Sequence, residues 1–174
     1  MKRSRNLVLG TITIFALAML VPVFTQGAKP GVNHKARQTR PIQLGVSGGN
    51  ATDLANGFCC SGTLGALVTK GGIQYILSNT HVFAGDFVLG GNGTVSTAGD
   101  PIDQPGLVDV QCQNIPTDYV ATLSEWAPIP STDNVDAAIA QVIPLMVDSS
   151  GSILEIGTIS SSTVGAFIGQ AVKK

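Results

Sequence analysis

Basic side chains are nearly missing from the part of this chain that can fold. Between Pro41 and Val172 the only one is Lys70, whereas all 11 acidic residues lie between Asp53 and Glu155. A nucleic-acid binder needs a basic stripe to face phosphates, so this distribution argues against nucleic acid as a partner. A solvated acidic surface keeps such a chain soluble instead. Charged residues of both signs make up only 12% and aromatic residues 5%. No amphipathic helical period appears after residue 28, and no internal repeat of fixed length. Helical bundles and solenoids are therefore excluded. Long apolar runs are missing as well, with one exception at the N-terminus.

There, Lys2, Arg3 and Arg5 precede a run from Leu7 to Phe24 broken only by Gly10, Thr11, Thr13 and Pro22. Thr25-Gln26-Gly27 follows with small residues at the −3 and −1 positions. This is the layout of a secretory signal peptide over residues 1–28, cleaved after Gly27 or Ala28. An uncleaved anchor is the competing reading, because the run nears bilayer-spanning length. Pro22 and the small residues favour cleavage. Arg3 and Arg5 are not adjacent, which argues against a twin-arginine route. No cysteine sits near the cleavage site, which argues against a lipid anchor. The expectation is a secreted or periplasmic protein that meets a membrane only through this segment. Residues 29–40 read as a flexible leader.

Cysteines are few: Cys59, Cys60 and Cys112. An exported chain permits a disulfide of Cys112 with either Cys59 or Cys60, leaving one thiol over. The three cysteines plus His81 match no common zinc spacing. Asp100 and Asp103 lack the spacing of a calcium loop. No metal or other cofactor is expected.

What is present in quantity is glycine, 21 residues, together with small and β-branched residues. Pro41–Val46 reads as an edge strand, Ser47–Asn50 as a turn, and Gly62–Thr69 as a strand of small residues. Lys70-Gly71-Gly72 turns into the strand Ile73–Ser78. Thr94–Thr97, Leu107–Gln113, Val120–Ile129 and Val135–Ile143 follow as strands. Ile153–Ile159 and Val164–Val172 look like the first pieces of something further. About seven short strands at roughly ten-residue spacing predict an all-β barrel or sandwich.

Only two histidines exist. His34 lies in the polar leader, where a solvated side chain is the default. His81 closes the apolar strand Ile73–Ser78. Farther on, Asp136 interrupts an apolar run, Val135 to Val142. A carboxylate there is costly to bury unless a partner accepts it, and an imidazole N–H is such a partner. Asp109 competes for the role, but its segment is shorter and less apolar. A histidine past one strand and an aspartate at the start of a later one form two thirds of a nucleophilic triad.

Gly62–Val68, Tyr75–Ala84 and Val135–Ala140, in this order and spacing, resemble the N-terminal half of a trypsin-like (chymotrypsin-fold) serine peptidase. The likeness is to bacterial members related to the Narrow leaf 1 group, and it covers about residues 41–172. It implies two β-barrels with the triad in the cleft between them. His81 would be the general base and Asp136 its orienting partner, both on the first barrel, residues 41–146. Residues 147–174 would be the linker and the start of a second, truncated barrel. The substrate would be a polypeptide in the complete protein. The family's Gly-Asp-Ser-Gly nucleophile motif is missing. Asp148-Ser149-Ser150-Gly151-Ser152 imitates it, but only about a dozen residues past Asp136, in the expected inter-barrel connection. The expectation is therefore a truncated or incomplete gene product that does not hydrolyse peptides by itself. A non-catalytic β-barrel with a binding or structural role is the alternative.

Overall fold

The computed structural model describes residues 31–85, 96–128, 134–162 and 164–171. All of these but Gly31 fall in one compact unit, Val32–Lys174. The expected signal segment, residues 1–28, and its expected cleavage site lie outside the described residues. In chain order the elements are β1 (Val46–Asn50), β2 (Leu54–Ala55), β3 (Phe58–Cys59), β4 (Gly62–Leu64), β5 (Ala66–Lys70), β6 (Ile73–Ser78), the one-turn helix α1 (Thr80–Phe83), β7 (Pro101–Asp103), β8 (Tyr119–Trp126), β9 (Ala138–Val142), β10 (Ser152–Ile153) and β11 (Gly157–Thr158). Two 3-10 turns, Leu107–Val110 and Pro116–Asp118, lie between β7 and β8. The protein is all-β, as the strand spacing predicts.

Seven strands form one antiparallel sheet in the order β4-β1-β7-β8-β9-β6-β5. Its outermost strands, β4 and β5, are neighbours in the chain and are separated only by Gly65. The sheet must therefore curl until its ends meet. Gly65 N–H donates to Leu77 O at 3.1 Å across that junction. A Cβ at Gly65 would lie 2.6 Å from the same carbonyl, so the joining residue has to be glycine. This curl gives the sheet β-barrel character. β2–β3 and β10–β11 are separate hairpins.

The core lies inside the curl. Ala138 and Ala140 of β9 are buried and alternate with the partly exposed Ile139, the two-residue period of a strand with one inner face. Ile42, Leu44, Leu64, Ile76 and Phe83 are fully buried. Each is worth about 1.5–3 kcal/mol of apolar burial. The chain past Met146 does not part from this core. Val147 and Ile153 belong to it, and they bridge to Ile42 and Leu44. The stretch read as a leader is tied down from His34 onward. Arg37 makes a bidentate pair with Asp118, at 2.7 and 2.6 Å. Arg40 Nη2 donates to Gln104 O and Asp118 O. Nor is His34 merely solvated: its ring nitrogens meet Gly45 O at 2.7 Å and Glu155 Oε2 at 3.0 Å.

Several strand expectations need correction. Of Pro41–Val46, only Val46 joins a strand; Ile42 and Leu44 make isolated bridges, and β1 runs on from Val46 through Ser47–Asn50, read as a turn. Of the two glycines there, Gly48 serves close packing. A Cβ at Gly48 would lie 2.5 Å from Asp103 O and 2.6 Å from Leu64 Cδ2. Leu107–Gln113 is not a strand. It coils into the first 3-10 turn, then Gln111 and Cys112 take left-handed φ of 56° and 59°. Ile153–Ile159 folds back on itself as the β10–β11 hairpin. Val164–Ala171 forms no strand and leaves Val164, Phe167 and Ile168 exposed. The expected strand Thr94–Thr97 falls partly outside the described residues, and Ser96 and Thr97 are not in a strand. The same is true of the end of Val120–Ile129, where β8 closes at Trp126.

Candidate active site

Strand register brings the two ends of the site together. β6 and β9 are antiparallel, with Ser78 opposite Ala138. The chain therefore leaves β6 beside the point where it enters β9. His81 lies three residues past Ser78, and Asp136 two residues before Ala138. Between them, α1 turns the chain inward. It is pinned by the fully buried Phe83 and by Thr80, whose Oγ1 lies 2.9 Å from both Ala127 O and Ala137 O. Val82 packs so closely that a Cβ at Gly62 would lie 2.4 Å from its Cγ2.

His81 Nδ1 and Asp136 Oδ2 are 2.5 Å apart. An ionised carboxylate only accepts hydrogen bonds, so Nδ1 carries the proton and donates. In the neutral ring this leaves Nε2, on the far side, as the acceptor. His81 N–H donates to Asp136 Oδ1 at 3.3 Å. Asn79 Nδ2 donates to Asp136 O at 3.0 Å and reaches Oδ2 at 3.3 Å. Burial alone would raise the Asp136 pKa. The His81 ring N–H and the backbone N–H groups of His81 and Thr80 outweigh it and hold the carboxyl below its ordinary value. The pair is open to solvent, with side-chain exposures of 39% and 37%.

The other expected candidates lie elsewhere. Asp109 does not approach His81. It accepts a hydrogen bond from Ser47 Oγ on β1. Ser149 and Ser150 are not beside His81 either. Gln74, near the start of β6, donates to Ser149 O, and at about 3.3 Å per residue it lies roughly 13 Å along the strand from Ser78. Among the described residues no serine hydroxyl is hydrogen-bonded to His81. Cys59 and Cys112 form the disulfide, and Cys60 stays outside it. Asp100 and Asp103 do not converge. The Asp100 carboxylate accepts from Thr97 and Thr52, while Asp103 is buried in β7. Among the described residues no group of three or more His, Cys, Asp or Glu is placed to hold a metal ion. No described helix is long and apolar enough to cross a membrane. The contacts of Asn79 and Thr80 were not anticipated from sequence. The only available signal was their position immediately before His81.

Compared with known proteins, the chain matches no family model, no curated sequence and no solved structure.

Proposed function

We propose that this chain is the histidine- and aspartate-bearing part of a secreted, trypsin-like serine endopeptidase. The carrying observation is the 2.5 Å contact between His81 Nδ1 and Asp136 Oδ2 on a curled antiparallel sheet. In this reading His81 Nε2 takes the proton of a serine hydroxyl as its oxygen attacks a peptide carbonyl. It then returns that proton to the leaving amine. Asp136 holds the imidazole tautomer and stabilises the imidazolium. The serine and the oxyanion donors are proposed to come from polypeptide outside the residues described here, forming the second barrel of a chymotrypsin-like fold. The substrate is a polypeptide. Two features support export. The first is the apolar N-terminal segment, and the second is the Cys59–Cys112 disulfide, which belongs to an oxidising compartment.

The test is hydrolysis of a mixed peptide library. The 174-residue chain alone is expected to be inactive. The same chain translated together with its downstream coding region is expected to be active. His81→Ala and Asp136→Asn in the longer protein should each lower kcat by about 10⁴-fold, the scale such residues reach in a Ser-His-Asp triad. Hydrolysis by the longer protein that survives both substitutions would overturn the reading. Hydrolysis by the short chain itself, lost in both His81→Ala and Ser149→Ala, would also overturn it and move the nucleophile to Ser149.

A further inference from the structure

We propose that Asn79 is a positioning residue for the His81–Asp136 pair, gripping Asp136 at its backbone oxygen and its carboxylate together. The purpose of this grip rests on the peptidase reading above, although its geometry does not.

Asn79 immediately precedes α1 in an extended conformation, φ −80° and ψ 151°. Its carbonyl accepts the N–H groups of Val82 and Phe83. Asparagine is favoured at this position because its side-chain oxygen ordinarily accepts an N–H of the first helical turn. Here the side chain makes no such bond. The N–H groups of Thr80 and His81 are met by the Asp136 carboxylate instead. The two residues have thus exchanged tasks. Asp136 satisfies the start of α1, and the Asn79 amide is released to face Asp136.

That amide has two N–H donors. They meet two acceptors of one residue, Asp136 O at 3.0 Å and Asp136 Oδ2 at 3.3 Å. Oδ2 is the same oxygen that receives His81 Nδ1–H. Oδ1 is held by the His81 backbone. The carboxylate is therefore fixed at both oxygens and referenced to its own main chain. Rotation about its side-chain torsions would break the Asn79 contact or the backbone contact. An aspartate this exposed would otherwise exchange its partners with water. Capping alone does not call for an amide, since serine or aspartate at position 79 would cap α1 as well.

The experiment uses the full 174-residue chain, isotope-labelled for NMR, with Asn79→Ser and Asn79→Thr. Both substitutions keep a good capping residue, and neither supplies an amide donor. The expected result is a thermal midpoint close to wild type, loss of the sharp downfield Nδ1–H resonance of His81, and Asp136 side-chain couplings averaged over rotamers. A merely structural role would shift the thermal midpoint and leave the resonance and couplings alone. Wild-type resonance and a single Asp136 rotamer in both variants would overturn the proposal. Should either variant unfold, exchange of the Asn79 side-chain amide protons in the wild-type chain decides instead. Protected protons support the grip, and exchange as fast as a free amide overturns it. Failure of the peptidase reading would be seen separately, as hydrolysis independent of His81 in the longer protein, and would leave these spectra unchanged.

Discussion

Raising the pH from 5 to 9 should destabilise this protein through one buried carboxyl, Asp103. The residue is 1% exposed on β7, paired across from Gly49 of β1. Its Oδ1 has no hydrogen-bond partner. Burial, opposed by the Gly49 N–H and reinforced by the negative fields of Asp118 and Asp109, pushes its pKa up to about 8 from an ordinary 3.8. The unfolded chain loses this proton near pH 4, and the folded chain keeps it to about pH 8. In that window the folded state binds one more proton, so stability falls as pH rises and levels off above about 8. The full displacement corresponds to about 5–6 kcal/mol. Relaxation and water entry reduce such burial effects, so a loss of about 3 kcal/mol is the working expectation. Against a total stability of about 5–15 kcal/mol that is a large share. The assay is urea unfolding at pH 5, 7 and 9 for the wild type and Asp103→Asn, which stays neutral throughout. The variant should gain on the wild type steadily between pH 5 and 8. Stability curves that run parallel across this range would refute the reasoning.

Two further outcomes follow from contacts outside the site. Both His34 ring nitrogens face acceptors, Gly45 O and Glu155 Oε2, which only the imidazolium satisfies together. The Glu155 side chain first, and the Gly45 carbonyl second, raise the His34 pKa above 6.5. Its stabilisation is complete below that value and is lost as pH rises through the elevated one. An NMR titration should place the His34 midpoint above 6.5 and show it falling in Glu155→Gln, whereas an unmoved midpoint contradicts the assignment. The Cys59–Cys112 disulfide closes a 53-residue separation, worth about 4 kcal/mol on the chain-entropy account. Cys112→Ser should lower the urea midpoint accordingly, and a midpoint unchanged from the oxidised wild type would rule that contribution out.

The pairing of His81 with Asp136 was legible in the sequence from a histidine just past one strand and an aspartate just before another, with basic side chains nearly absent between Pro41 and Val172. The burial expected of Asp136 is not what holds it there: β9 starts only at Ala138, and the Asp136 side chain is 37% exposed. The all-β class was legible from turn residues at short intervals. Positions whose role depends on distant partners were not. Gly48 and Gly49 carry the local signature of a turn. Yet both lie in β1, and Gly48 lets the strand pass against Asp103 O and the Leu64 side chain, 55 and 16 residues away in sequence. Leu107-Val108-Asp109-Val110 has strand composition, but the Cys112 disulfide and the left-handed residues beside it impose a coil. The choice between Cys59 and Cys60 depends on the β2–β3 hairpin, which aims Cys59 at Cys112, and no spacing rule foresees that. Asn79 shows the same divergence inside the site. Its residue type announces a helix cap, and its position is that of one, yet its amide turns to Asp136. Local preference selected an asparagine-compatible position, and only the register of β6 against β9 decided what its side chain would hold.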